Sequence, residues 1–227
     1  MSDHGLADSR YYEVAPSQSR ADRVLTAARD RIYRDFLRVM KPRPEDRILD
    51  VGVSDVLTDG ANMLERLYPH PDKIVACGLG EPEAFRVGFP NIAYTQIEPN
   101  KPLPFGDGSF DIATSNAVLE HVGSFENQRA FVAELTRVAK RVFVSVPHRF
   151  FPIEHHTALP FAHFTDATFK VACKLTGKEA WADPKELILM SRGRLKRAVP
   201  QGRRMDIGYT GLHLGPFSSN LYLALSG

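Results

Sequence analysis

Apolar residues recur along this chain with two different periods, and the two alternate. From Ala21 onward, Val24, Ala28, Ile32, Phe36 and Met40 return every four residues with charges between them. That is the spacing of one helix face. Lys41-Pro42-Arg43-Pro44 ends it, because proline cannot continue a helix. Short apolar runs follow at residues 47–51, 73–77, 91–97, 110–115 and 141–146, and each predicts a strand. Between them lie helical stripes. One carries Met63, Leu64 and Leu67, with Thr58 or Asp59 as its cap; another carries Phe131, Leu135 and Val138 behind Ser124. The last run is rich in valine, as a strand buried on both faces should be. Only between the third and fourth strands is there too little chain for a helix.

Strand and helix in alternation predict an α/β fold: a doubly wound, mostly parallel sheet with helices on both faces. Beyond Pro147 the pattern loosens. Residues 165–176 read as a helix stopped by Gly177. Asp183-Pro184 with Glu186 reads as another helix start. Residues 205–214 and 220–225, separated by Gly215-Pro216, read as a C-terminal antiparallel hairpin. The organisation expected is a flexible arm over residues 1–20 and a single domain over 21–227. Within that domain, 21–44 form an N-terminal helix and 147–204 an insertion with helices at the active edge.

Composition narrows the class without naming it. The chain has 227 residues, enough for one α/β domain, and its 43% apolar content supports a real core. A net charge of +2 points to no nucleic-acid partner. Cys77 and Cys173 stand far apart in apolar surroundings and read as buried thiols. No apolar run approaches ~20 residues, and the first residues are polar, so a cytoplasmic, soluble protein without a membrane partner is expected, as monomer or homodimer.

The chemistry lies in the loops. The first strand runs into Asp50-Val51-Gly52-Val53-Ser54. Gly52 can take backbone angles closed to other residues and allows close approach to a ligand. Ahead of the fourth strand stands Leu103-Pro104-Phe105-Gly106-Asp107-Gly108-Ser109-Phe110-Asp111, and after it Ser115-Asn116-Ala117-Val118-Leu119-Glu120-His121. Together these resemble the cofactor half of class I S-adenosylmethionine-dependent methyltransferases of the small type 11 kind. The family reads Leu-Pro-Phe-x-Asp-x-Ser-Phe-Asp before strand four and a similar Leu-Glu-His after it. It carries an acid-x-Gly-x-Gly-x-Gly loop after strand one. Here Asp50 and Gly52 match, while Ser54 and Val56 replace the later glycines.

The resemblance implies a Rossmann-like fold and S-adenosyl-L-methionine as cofactor, with S-adenosyl-L-homocysteine as product. It places Asp50, Gly52 and Ser54 at the cofactor. It gives the ribose hydroxyls an acid after strand two, for which Glu81 is the nearest candidate; a solvated helix-start glutamate is the other reading. It gives the adenine amine Glu98 or Asn100. It sets Asn116 and Ala117 beside the methionine part, with Glu120 and His121 orienting that loop. The Asp/Asn-Pro-Pro-Tyr/Phe motif of nucleic-acid and amide methyltransferases is missing, which weakens those substrate classes.

Residues 147–163 hold four of the eight histidines. Within them Pro152, Glu154, His156, Leu159, Pro160 and Phe161 match a pattern of similar bacterial methyltransferases. Three readings compete. His156, oriented by Glu154, acts as a general base, with His148 as second candidate. Or His155, His156 and His163 bind a metal; their irregular spacing argues against it, and no metal is assigned. Or the histidines cap backbone groups in a packed loop. The basic run from Arg192 to Arg204 reads as a solvated helix face or as a contact for an anionic substrate. The function expected is methylation of a hydroxyl on a small-molecule or glycan acceptor. The alternatives are a methyltransferase-like binding or scaffold protein without turnover, and a nicotinamide-dependent oxidoreductase. The last would want Gly-x-Gly-x-x-Gly after strand one, which this chain lacks.

Overall fold

The computed structural model describes residues 20–54 and 61–227. The expected arm, Val56 and the two candidate caps Thr58 and Asp59 therefore lie outside the described residues, except that Arg20 opens the first helix. The elements are α1 (Arg20–Met40), β1 (Ile48–Val51), α2 (Met63–Leu67), β2 (Ile74–Gly78), α3 (Pro82–Gly88), β3 (Ala93–Gln96), β4 (Phe110–Asn116), α4 (Phe125–Val138) and β5 (Ala139–Pro147). After them come α5 (Asp166–Leu175), α6 (Arg192–Ala198), β6 (Arg204–Leu214) and β7 (Phe217–Ser226).

The seven strands form one sheet in the order β3-β2-β1-β4-β5-β7-β6. The first five are parallel; β7 runs antiparallel to both β5 and β6. Period-two alternation sends neighbouring side chains to opposite faces. Leu49, Ala113, Val142, Val144 and Leu223 join the core layer under α4 and α6. Ile48, Ile112, Phe143, Tyr222 and Ala224 join the layer under α1, α2 and α3. The four-residue stripe of α1 delivers Ile32, Phe36 and Met40 into that second layer. Phe36 meets Phe143 edge-on, with ring centroids 5.5 Å apart. Each such fully buried side chain is worth about 1.5–3 kcal/mol.

Side-chain caps fix two of the helices, the first as the sequence predicts. Ser124 accepts from the Asn127 N–H at the start of α4, and Thr165 from the Thr168 N–H at the start of α5. One expectation fails. Asp183-Pro184 begins no helix; it makes a single turn, closed by the Glu186 and Leu187 N–H groups on the Asp183 carbonyl. The chain then runs extended, with Leu187, Ile188 and Met190 buried. The extended run is pinned at Ile188 N–H to the Glu120 carbonyl and at Arg149 N–H to the Met190 carbonyl.

Strand order reverses between β1 and β4. In open α/β sheets ligands bind there, beyond the carboxyl ends of the strands.

Candidate active site

A cleft of about 650 Å³ opens at that reversal, a size usual for small-molecule and cofactor sites. Asp50, Gly52, Ser54, Glu98, Asn116, Ala117, His121 and His156 all border it. Three sequence candidates do not. Glu81 sits exposed at the N-terminus of α3, where Pro82 carries the chain away from the sheet. Glu154 is buried behind His156. His148 is buried with its Nδ1 on the Ser218 carbonyl, in a small polar pocket on the other side of Pro147. Burial holds its imidazole below its ordinary pKa.

The β1 loop is built by hydrogen bonds rather than by glycines. The Gly52 and Val53 N–H groups both donate to the Cys77 carbonyl, at 2.7 and 3.1 Å. Gly52 has φ +92°, and an added Cβ would lie 2.3 Å from Cγ2 of Val118. Glycine is needed here for the backbone angle and for the close approach of the β4 loop. Ser54 stands where the family has glycine, and it is clamped by Asn62. The Ser54 N–H donates to Asn62 Oδ1, and Asn62 Nδ2 donates back to the Ser54 carbonyl, each at 2.8 Å. Asn62 is left-handed at φ 52°, a conformation asparagine tolerates well. Nothing in its sequence context marked it.

Asp50 points to the opposite face from Leu49 and Val51 and meets Glu65 of α2. Both acids are buried and both have pKa values pushed up, first by burial; Asp50 reaches about 7. Neither Glu65 oxygen has a donor while both acids are ionised. One proton shared by the two carboxyls resolves this, since a protonated carboxyl can donate to its ionised neighbour.

After β4 the chain turns sharply. Ala117 has φ 56° and donates to the Ser145 carbonyl. Ser145 Oγ donates to Asn116 Oδ1, which leaves the Asn116 amide N–H groups as what that side chain offers the cleft. A 3-10 turn over Leu119–His121 then sends Glu120 inward and His121 to the cleft wall.

His156 comes from the loop after β5. Glu154 holds that loop by accepting from the His156 and Thr157 N–H groups, the Thr157 hydroxyl and His156 Nδ1, all at 2.6–3.0 Å. Burial opposes ionisation of Glu154, yet these donors win and hold it down at about 2. His156 is raised above its ordinary value despite burial, because Glu154 accepts its proton. Its Nε2 lies 3.1 Å from Nε2 of His121, whose Nδ1 faces the Glu186 carbonyl at 2.7 Å. Burial, then the neighbouring His156, push His121 down to about 3. Trp181 lies 5.0 Å from the His156 ring and borders the cleft. Neither Trp181 nor the His121–His156 pairing was legible in the sequence.

Residues 78–142 match the family model described as a methyltransferase domain, type 11. That stretch, under a third of the 227 residues, is similar to a methyltransferase domain. The matched span runs from the end of β2 into the start of β5, so it holds the loop after β4 but not the loop after β1. Among solved structures, the chain is similar to PH0226 from Pyrococcus horikoshii, at 13% identity and TM-score 0.60 over 95% of this chain and 97% of that one. It is similar to a Thermotoga maritima S-adenosylmethionine-dependent methyltransferase, described as a possible histamine N-methyltransferase, at 16% identity and TM-score 0.56 over 91% and 92%. It is also similar to a methyltransferase from Aquifex aeolicus, at 15% identity and TM-score 0.50 over 89% and 91%. At these identities the likeness is one of fold. No curated protein matches the chain. No helix among the described residues is long and apolar enough to cross a membrane.

The cleft fits the cofactor that the family uses. Apolar Leu79, Ile97 and Leu103 border one side, as a purine face requires, and the Asn116 amide and the Glu98 carboxylate offer donors and acceptors beside them.

Proposed function

We propose that this methyltransferase methylates a hydroxyl group of a small molecule or glycan. The observation that carries the reading is the Glu154–His156 pair at the cleft wall. Bound S-adenosylmethionine supplies a methyl group on a sulfonium, a good leaving group, so positioning supplies much of the rate. The β1 loop at Gly52 and Ser54, with Asp50 beneath it, would hold the nucleoside. Glu98 would accept from the adenine amine, and Asn116, Ala117 and His121 would border the methionine part. Glu81 drops out of this set, because its carboxylate is exposed beyond the cleft.

On the acceptor side, a hydroxyl is a poor nucleophile until its proton leaves. Glu154 fixes the His156 ring through Nδ1, as a positioned base requires, and leaves Nε2 at the cleft wall facing His121 Nε2. A base of this kind contributes about 10²–10⁴ in rate. Residues 147–204 would form the acceptor side of a single domain. His148 is the weaker candidate, since its imidazole is turned into a separate pocket.

The reading is tested by labelled-methyl transfer to panels of hydroxyl, amine and carbon acceptors. Transfer to hydroxyl acceptors alone supports it; transfer confined to amines overturns it. A binding protein without turnover is the second reading. It is favoured by the absence of any acid from the cleft between Leu79 and Ile97. Tight S-adenosylhomocysteine binding with no transfer to any acceptor would select it.

A further inference from the structure

Among the described residues, Glu120 joins Glu65 as a buried acid with neither carboxylate oxygen hydrogen-bonded. The Glu120 side chain is fully buried. An unpaired buried acid is costly, so either it stays neutral or something positive belongs beside it. The nearest charged-type contact is His121 Nε2, 4.0 Å from Oε1.

A carbonyl only accepts, so His121 Nδ1, facing the Glu186 carbonyl, carries that ring's hydrogen. Its Nε2 is then a lone pair. His156 Nδ1 donates to Glu154, so in the neutral ring its Nε2 is a lone pair as well. The two lone pairs face each other across 3.1 Å. A proton on His156 would satisfy the histidine pair but would leave both Glu120 oxygens without a donor. A cation between the two nitrogens would engage both lone pairs, and the Glu120 carboxylate, 4.0 Å from His121 Nε2, would close on it by a side-chain shift. Ligand atoms of Glu120, His121 and His156 lie within 4.8 Å of one another. Two imidazole nitrogens on one ion at ~2.0–2.1 Å sit roughly 3.0–3.4 Å apart, which the observed separation matches.

We propose that Glu120, His121 and His156 form a binding site for a divalent transition-metal ion. Two imidazoles and one carboxylate are a donor set that suits ions of the zinc and cobalt kind, and three protein ligands leave a position open. The supporting contacts are in place. Glu154 holds His156 and the Glu186 carbonyl holds His121, fixing both rings with Nε2 toward the ion, as metal-bound histidines are commonly held. His121 and His156 border the cleft, so the open position faces the acceptor side. The ligand set differs from the three histidines that sequence proximity suggests: His155 and His163 are not part of it. For the acceptor alone, the inference rests on the preceding reading: an acceptor oxygen is the ligand that would complete the coordination. With the ion bound, His156 would serve as a ligand, and the ion would lower the pKa of the bound hydroxyl so that its proton passes to water in the open cleft.

Metal-stripped full-length protein, titrated with Zn2+ by calorimetry, tests the site. One equivalent should bind, and Glu120→Gln and His156→Ala should each weaken binding at least about tenfold, while His155→Ala leaves it unchanged. Co2+ added to the wild-type protein should give visible absorption bands, a readout that needs no variant. No Zn2+ binding, no Co2+ bands, or a loss that follows His155→Ala instead would overturn the site. S-adenosylhomocysteine titration in parallel separates the two claims. Its retention by Glu120→Gln supports a metal site distinct from the cofactor's. Its failure with the wild type would strike the methyltransferase reading and leave the metal result standing.

Discussion

His121 and His156 face each other through Nε2 atoms 3.1 Å apart, and the far nitrogen of each ring is already engaged. The first loop follows β4, which the family model covers; the second follows β5, beyond it. The cofactor side and the proposed acceptor side therefore meet at this pair. His156→Ala should lower turnover about 100-fold or more while leaving S-adenosylhomocysteine affinity unchanged. Steady-state kinetics beside calorimetry check this; unchanged turnover would remove His156 from the mechanism.

The buried Asp50–Glu65 pair predicts how stability depends on pH. In the unfolded chain both acids ionise near pH 4. In the folded chain their values are raised, to about 7 for Asp50. Folded protein thus holds a proton that unfolded protein has released, and stability must fall as pH rises from about 4 to about 7. The slope is about 1.4 kcal/mol per pH unit for one proton. Glu65→Gln supplies a permanent donor to Asp50 and should flatten this slope and raise stability at pH 8. Urea unfolding at pH 5 and pH 8 reads both; an unchanged slope in the variant counts against proton sharing.

Asn62 substitutes for the glycines that the β1 loop lacks, by holding Ser54 through two hydrogen bonds. Asn62→Gly keeps the left-handed backbone accessible and deletes only those bonds. It should cost about 1–3 kcal/mol in stability and weaken S-adenosylhomocysteine binding, because the freed loop must be ordered by the ligand. Equal affinity in variant and wild type would show that the loop does not depend on this clamp.

Gly52→Ala should destabilise the fold, since its Cβ would meet Val118 at 2.3 Å at a backbone angle strained for alanine. Adding Val118→Ala should recover part of the loss, with strain at φ +92° accounting for the remainder. Thermal unfolding of the single and double variants measures the coupling. Strict additivity would mean that the contact is not the cause.

The sheet was legible because its strands are short, apolar and separated by helical stripes; β6 and β7 were legible because Gly215-Pro216 divides two strand-like runs. Local chemistry carried that information. The helix expected at Asp183 gives way to an extended run whose Ile188 N–H and Met190 carbonyl pair with Glu120 and Arg149, partners distant in sequence. Within the site, the loops at Gly52 and Asn116 stood out by pattern. Glu81 does not line the cleft, because proximity in sequence to β2 does not say which way the chain leaves it. Asn62, Glu65 and Trp181 carried no local signal, since each is defined by a partner on a different element.

Calorimetric titration of the wild-type protein with S-adenosylhomocysteine, with NAD as the comparison, tests the central claim most directly. The account predicts one equivalent of S-adenosylhomocysteine bound and no heat from NAD. Binding of NAD alone, or of neither, would contradict it.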